Sequence, residues 1–364
     1  MSVDPSNAEH PLFKRIEKFR RRDGKVRGER VDIAHGGGGK AMRDLIDDVV
    51  LGAFGSSLQA DEDQARFSLA ELVARGDRLA FSTDSYVVSP LEFPGADNGS
   101  LAVNGTVNDL AVGGAQTNYL SCELVIEEGL ELDVLRRILR SMAKAAEHAD
   151  VHIVTGDTKV VQRGAADRLF INTAGVGVIP AGRDVRASAL RPGDRILVNG
   201  YLGDHGAAIL LARGELKLEA EIPSDCAPLA DLAERLLERV EVHAMRDATR
   251  GGLASVLNEL ALSSEIGIAV DGAAVPVRSQ VEGFCEILGL DPLHLANEGK
   301  LVVAVAPHDV DAALEVMRAH PLGEHAACVA ECRSDPPGVV TLNTGFGRER
   351  ILDMLVGEQL PRIC

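Results

Sequence analysis

Hydrophobic residues recur at helical spacing over 130–149, where Leu135, Ile138, Leu139 and Met142 share one face, and this predicts a long amphipathic helix. Shorter apolar runs bounded by turn residues predict strands at 78–83, 119–127, 151–155 and 169–179. The first ends at Asp84 and the third just before Gly156 and Asp157. Pro180 and Gly182 then mark a break. Beyond it the pattern predicts strands at 195–199, 267–270 and 301–306, with helices at 205–212, 228–240, 252–262 and 310–320. Mixed strands and helices in both halves imply an α/β fold of packed layers. A length of 364 residues allows two cores, so we read one domain over 31–182 and a second over 183–345. At the end, Ile351, Leu352, Leu355 and Val356 share a helical face, and Gly357 is a plausible stop. Residues 346–364 are therefore expected to form a helix and a mobile tail.

That tail ends in Pro361, Arg362, Ile363 and Cys364. A terminal thiol has nothing after it to hold it in a core. Seven residues follow Gly357, a reach of about 20–25 Å when extended, and Pro361 disfavours helix at Leu360. The thiol is either a carrier that moves a small group between sites or the end of a frayed terminus. Before the first domain, residues 1–30 form a basic arm with nine Lys or Arg between Phe13 and Arg30. It reads as a solvated, partly disordered segment, or as a basic helix for an acidic partner.

Charge narrows the function. A net charge of −17 argues against non-specific binding to nucleic acid or to an anionic membrane. No apolar run approaches the length of a spanning helix, and no secretory signal is visible. Six cysteines are scattered, without a second close pair to support a zinc site or a disulfide framework, which points to a reducing cytosol.

Four segments carry candidate chemistry. His35, Gly36, Gly37, Gly38, Gly39 and Lys40 precede a helix expected near Ala41. Such a loop wraps phosphate with its N–H groups, or simply links the basic arm. It is not a P-loop, because Ala34 and Ala41 occupy positions that need Gly and Ser or Thr. Asp84, Asp109 and Asp157 lie at strand ends or in glycine-rich loops, where hard oxygen ligands from several loops suit Mg²⁺ bridging phosphates. Each alone could be a turn or cap residue. Asp247 precedes the glycine turn Arg250-Gly251-Gly252, and Asn297-Glu298-Gly299-Lys300 enters the strand at Leu301; either could be plain turn chemistry.

In this order, His35–Gly39, Asn108–Ala115, Gly156–Val160, Asp247–Leu253 and Asn297–Gly299 resemble the aminoimidazole ribonucleotide synthetase-like ATP-binding superfamily. The terminal Pro-Arg-Ile-Cys is similar to the hallmark of one branch, the HypE family, carbamoyl dehydratases of nickel–iron hydrogenase maturation. The resemblance covers about 31–364. It implies two α/β domains and a homodimer formed through the first. It implies that a partner carbamoyltransferase loads Cys364, that the tail enters the protein's own ATP site, and that phosphorylation and loss of the amide oxygen leave a thiocyanate. The cyano group then passes to an iron-carrying scaffold complex. It also implies that ATP and Mg²⁺ are held by the His35–Gly39 loop, Asn108, Thr158 and Asp247, with Asp84, Asp109 and Asp157 on the metal. Glu298 is the expected base and Lys159 the cation at the phosphorylated oxygen. Two other readings stay open: a kinase or synthetase of the same superfamily, and a thiol carrier without catalysis.

Overall fold

The computed structural model describes residues 25–26, 28–55, 62–214, 221–344, 348–357 and 361–364. Most of the basic arm, including the cluster at 14–22, lies outside the described residues. The described elements begin with a 3₁₀ turn at Ile33–Gly36, then α1 (Lys40–Leu45), a π-helical turn at Ile46–Val50, α2 (Leu51–Phe54) and α3 (Leu69–Val73). There follow β1 (Arg78–Tyr86), the short pair β2 (Glu92–Phe93) and β3 (Ala96–Asp97), and α4 (Asn98–Val112). Then come β4 (Gln116–Glu127), α5 (Leu132–His148), β5 (His152–Val161) and β6 (Leu169–Ile179).

The strands β1, β6, β4 and β5 form one sheet in that order, antiparallel except for the parallel β4–β5 pair. Pairing reads straight across the sheet. Asp84, Thr173, Cys122 and Gly156 make one row; Ser85, Asn172, Glu123 and Asp157 make the next. Successive rows face opposite sides. Thr173 and Cys122 are buried, so the Asp84 row points into the layer formed by α4 and α5. The other side is open, and Leu79 and Phe81 are 61% and 70% exposed there.

The second half contributes β7 (Arg195–Val198), α6 (Asp204–Ala212), α7 (Ala230–Arg239), β8 (Val242–Asp247), α8 (Gly252–Ser264), β9 (Gly267–Asp271) and α9 (Ser279–Leu288). It closes with β10 (Leu301–Val305), α10 (Val310–Arg318), β11 (Ala327–Arg333), β12 (Val340–Asn343) and β13 (Glu349–Ile351). Its strands form a seven-stranded sheet ordered β13-β12-β9-β11-β7-β10-β8. Two layered sheet–helix units match the α/β expectation.

Three local expectations are corrected. The last helix expected at 348–356 is the edge strand β13, paired antiparallel to β12; Leu352 is buried while Ile351 is exposed, an alternation of period two. The strand expected to stop before Gly156 runs on to Val161, and Gly156 is inside it because an added Cβ would lie 2.0 Å from the Cys122 carbonyl oxygen. Asp109 sits not in a loop but near the end of α4.

That helix escapes a pattern reading because it has no polar face. Thirteen of its fifteen residues are buried, including Asn98, Asn104, Thr106 and Asn108, since sheet, α5 and the second half surround it. Asp97 starts it with a capping box to Ser100. Gly99 lets it approach α5: an added Cβ would meet the Ile138 carbonyl oxygen at 2.2 Å. Helix propensity alone would favour Ala there by about 1 kcal/mol. The main-chain clash reverses the sign, and Gly99→Ala is expected to cost about 1–3 kcal/mol net, read from urea unfolding.

Candidate functional site

The tail is docked rather than extended. Val87 N–H, just past β1, donates to a main-chain carboxylate oxygen of Cys364 at 3.1 Å, and Ser89 N–H donates to Arg362 O at 3.4 Å. From α6, His205 Nε2 donates to Ile363 O at 2.8 Å. Arg213, at the end of the same helix, donates to Pro361 O at 2.5 Å and Arg362 O at 3.0 Å. The Arg362 side chain donates to Val87 O at 3.0 Å and pairs with Asp167. Ile363 and Cys364 are 3% and 8% exposed and join a cluster with Phe93, Ile209 and Ala296. The expectation of an extended tail is thus corrected for its last four residues: a ring of donors takes up the carbonyls that a frayed end would leave to water.

Carboxylates converge beside this tail. Asp84 and Asp109 face each other across the β1–α4 contact, where Ser82 Oγ donates to Asp109 Oδ2 at 2.7 Å. Burial, then Asp84, pushes Asp109 above its ordinary value. Asp247, at the end of β8, is pushed up to about 7 by burial and by Asp109. Glu298 is 3% exposed, and its Oε1 has no hydrogen-bond partner among the described residues. Burial, then Asp247, Asp225 and Asp84, hold it well above the usual carboxylate range. Such a group of acids, raised by one another's charge, suits a divalent cation that would remove the repulsion.

Main-chain anchoring holds the Glu298 turn. Asp225 accepts from Glu298 N–H at 3.0 Å, Gly299 N–H at 3.2 Å and Lys300 Nζ at 2.8 Å. Burial opposes its ionisation, but Lys300, His205 and the hydrogen bond from Glu298 N–H together outweigh it and hold Asp225 below its ordinary value. An added Cβ at Gly299 would sit 2.0 Å from the Asp225 carbonyl oxygen, so only glycine fits. Asn297 donates to Ala248 O and Leu295 O and accepts from Gly203 N–H. Asn108, expected on the cofactor, instead ties α4 to the second half through Ala227, Leu229 and Glu298 main-chain atoms.

The remaining candidates lie elsewhere. Asp157 and Lys159 form an exposed ion pair at 2.7 Å on the open face of the sheet. Asp84 is on the opposite face and on the opposite edge strand, about 14 Å away at three strand spacings. Asp84, Asp109 and Asp157 of one chain therefore do not share a metal, and among the described residues no group of three His, Cys, Asp or Glu is close enough to hold one. Lys159 is likewise remote from Glu298. The glycine loop sits by β5, where an added Cβ at Gly36 would meet Val160 at 2.9 Å, while Gly38 and Gly39 border open space. His35 is buried, and its Nδ1 accepts from Asp32 N–H at 3.0 Å. A cavity of about 160 Å³ opens beside the loop, lined by Met42, Ile46, Phe54, Leu124, Thr155 and Thr158 among others.

His205, Arg213 and Asp225 went unread in the sequence. Each is a single polar residue without a motif, and its role comes from what folding brings to it. Asp247 gives a direct test of the acid cluster. Its raised carboxyl favours the folded state fully below the ordinary value of 3.8, and that advantage is lost as pH rises through about 7. With divalent ions chelated, Asp247→Asn is expected to melt above the wild type at pH 8 and level with it near pH 4.

Residues 62–179 match the N-terminal domain of AIR synthase related proteins, and residues 191–343 match the C-terminal domain. The chain is 56% identical to the carbamoyl dehydratase HypE of Rhodobacter capsulatus over 340 residues, 93% of this chain and 99% of that one. Hydrogenase maturation protein HypE solved in complex with ATP superposes with a TM-score of 0.86 at 47% identity, covering 92% of this chain and 99% of that one. A chain of a HypE–HypF complex gives 0.74 at 43% identity, over 85% and 99%.

Proposed function

Because the chain belongs to the carbamoyl dehydratase HypE family, we propose that Cys364 is the carrier thiol and that its docked tail presents a carboxamide to Glu298. The chain is an ATP-dependent carbamoyl dehydratase of hydrogenase maturation. The observation that carries the assignment is the docking of Cys364 against Val87, three residues past Asp84 and next to the buried acids.

In the step, the carboxamide oxygen attacks the γ-phosphorus and ADP leaves. Phosphate then departs with that oxygen, the nitrogen gives up both protons, and a carbon–nitrogen triple bond forms on sulfur. One proton leaves with phosphate and the other is released. Glu298 takes a proton from nitrogen; its burial keeps water from the intermediate. Asp84, Asp109 and Asp247 do not close on a metal by themselves, but with a nucleotide's phosphate oxygens and water as further ligands they would hold Mg²⁺, which would neutralise phosphate charge. The glycine loop and the cavity behind it suit a nucleotide, with apolar Met42, Ile46 and Phe54 for the base.

Lys159 and Asp157 reach this chemistry across a homodimer. Exposed Leu69, Val73, Leu79 and Phe81 lie on the first sheet and α3, an apolar area that a second copy would cover. Each site would then combine Glu298 and Cys364 of one subunit with Lys159 of the partner subunit. Mixing Glu298→Gln chains with Lys159→Ala chains should restore about a quarter of wild-type activity, because half the dimers are mixed and each holds one intact site. No recovery after subunit exchange would place both residues in one subunit's site.

The neighbour solved with HypF supports a carbamoyltransferase that loads Cys364. An iron-carrying scaffold is the proposed acceptor and the cytosol the proposed compartment; among the described residues no helix is long and apolar enough to cross a membrane. The chain divides into two domains at about residue 182, with a separate arm over residues 1–30. Its test is intact mass. Incubation with the transferase, carbamoyl phosphate and Mg-ATP should add a carboxamide and then remove one water. A carboxamide that stays intact with Mg-ATP would overturn it.

A further inference from the structure

Glu298 is held from behind. Its buried Oε1 has no hydrogen-bond partner among the described residues, so the main chain that carries the carboxyl group has to place it. That main chain hangs on the loop ahead of α7. Asp225 accepts from Glu298 N–H at 3.0 Å and from Gly299 N–H at 3.2 Å, and Lys300 Nζ donates to it at 2.8 Å. Two residues on, Ala227 N–H donates to Glu298 O at 3.3 Å. The turn is gripped at both its amide and its carbonyl.

The residue before Asp225 in the same loop faces the tail. His205 Nε2 meets Ile363 O at 2.8 Å, and a carbonyl oxygen can only accept, so Nε2 carries the proton. Nδ1 is left to accept from Ser224 Oγ–H at 2.8 Å. Burial lowers His205 below its ordinary value, which favours this neutral tautomer. Ser224 is itself fixed: its N–H donates to Pro94 O at 2.8 Å, and its Oγ accepts from Cys226 N–H at 3.1 Å. Ile363 directly precedes the thiol-bearing Cys364. Two adjacent loop residues therefore reach the docked tail, through a rigid imidazole, and the base turn.

We propose that Ser224 and Asp225 are positioning residues for the dehydration: they tie the main-chain carbonyl of Ile363 to the main chain of Glu298, so that the docked tail sets the place of the base that acts on its own cargo. This rests on the dehydratase reading, with Glu298 as the base. Neither residue is assigned a contact with the carboxamide. A base has to lie within about 2.6–3.2 Å of the atom whose proton it takes. A displacement of about 1 Å costs on the order of 10²-fold in rate. With the tail away, His205 Nε2–H loses its acceptor, and the Ser224 side of the loop loses its brace. Full alignment of Glu298 then waits for a tail to be in place.

The test uses the full-length chain loaded with carboxamide on Cys364 and reads single-turnover thiocyanate formation at saturating Mg-ATP. Ser224→Ala removes one hydroxyl and no charge. It should slow the step about 10-fold or more. Mg-ATP affinity should not change, and in the unloaded chain iodoacetamide should alkylate Cys364 no faster than in the wild type. Ser224→Thr, which keeps the hydroxyl, should stay within about 3-fold of the wild-type rate. Asp225→Asn should slow the step at least as much as Ser224→Ala. It strips the buried Lys300 of its counter-charge, so Ser224→Ala carries the decision if that chain does not fold. The deciding measurement repeats Ser224→Ala in a Glu298→Gln chain. A residue that acts through the base has nothing left to position there, so the added loss should be under about 2-fold. The same loss in both backgrounds would mark a merely structural role and overturn the proposal. A wild-type rate in Ser224→Ala would overturn it too, as would a rate loss matched by faster alkylation of Cys364, which would make Ser224 a docking contact only. A wild-type rate in Glu298→Gln alone would overturn the base reading instead.

Discussion

Glu298→Gln, assayed on chain already carbamoylated at Cys364, is expected to bind Mg-ATP but form thiocyanate about 10²-fold or more slowly, the usual order for a lost general base. Glu298 is a poor base in the nucleotide-free protein. Burial and the charges of Asp247, Asp225 and Asp84 keep it protonated well above the ordinary carboxylate range. A cation among Asp84, Asp109 and Asp247 would cancel part of that repulsion and lower it toward working pH. The wild-type rate should therefore rise with pH through a value above the ordinary carboxylate range, as Glu298 loses its proton. In Glu298→Gln that rise should vanish, which a merely structural role would not produce. The amide keeps the shape and the main-chain bonds to Asp225, so a stable variant is expected. Wild-type rates of thiocyanate formation in it would remove Glu298 from the mechanism.

Cys364→Ala is expected to abolish every ATP-dependent mass change while the chain still folds. The loss on the folding side is one small buried side-chain atom, about 1 kcal/mol, and the tail's main-chain contacts remain. No other thiol is a substitute. Burial pushes Cys122 up to about 12, Cys285 to about 11 and Cys332 to about 12, and it raises Cys226 and Cys328 as well. Thiolate is the nucleophile, so these five are held inert. Peptide mass spectrometry after loading should find the group on Cys364 alone. A carboxamide on any of the other five, or thiocyanate formed in Cys364→Ala, would overturn the carrier assignment.

The sequence by itself determined the four strands of the first sheet and α5, and in the second half β7, β9, β10, α6, α7, α8 and α10, because periodicity or a bounded apolar run marks each; β8, β11, β12 and α9 went unread, and β13 was expected as helix. Leu135, Ile138, Leu139 and Met142 lie on α5 as their spacing requires. It also determined the chemistry that motifs announce: the glycine loop, the acids, the Asn-Glu-Gly turn and the terminal cysteine. Tertiary structure decided the rest. Helix α4 is buried all round, so its residues alternate with nothing and Asp109 looked like a loop acid. The tail's conformation depends on carbonyl partners at Val87, His205 and Arg213, hundreds of residues away in part, which no local pattern around Cys364 encodes. Asp84 and Asp157 look alike in sequence, yet strand order and register put them on opposite faces and edges of one sheet. Side-chain direction in a sheet flips with every residue, so which acids can meet is fixed by pairing alone.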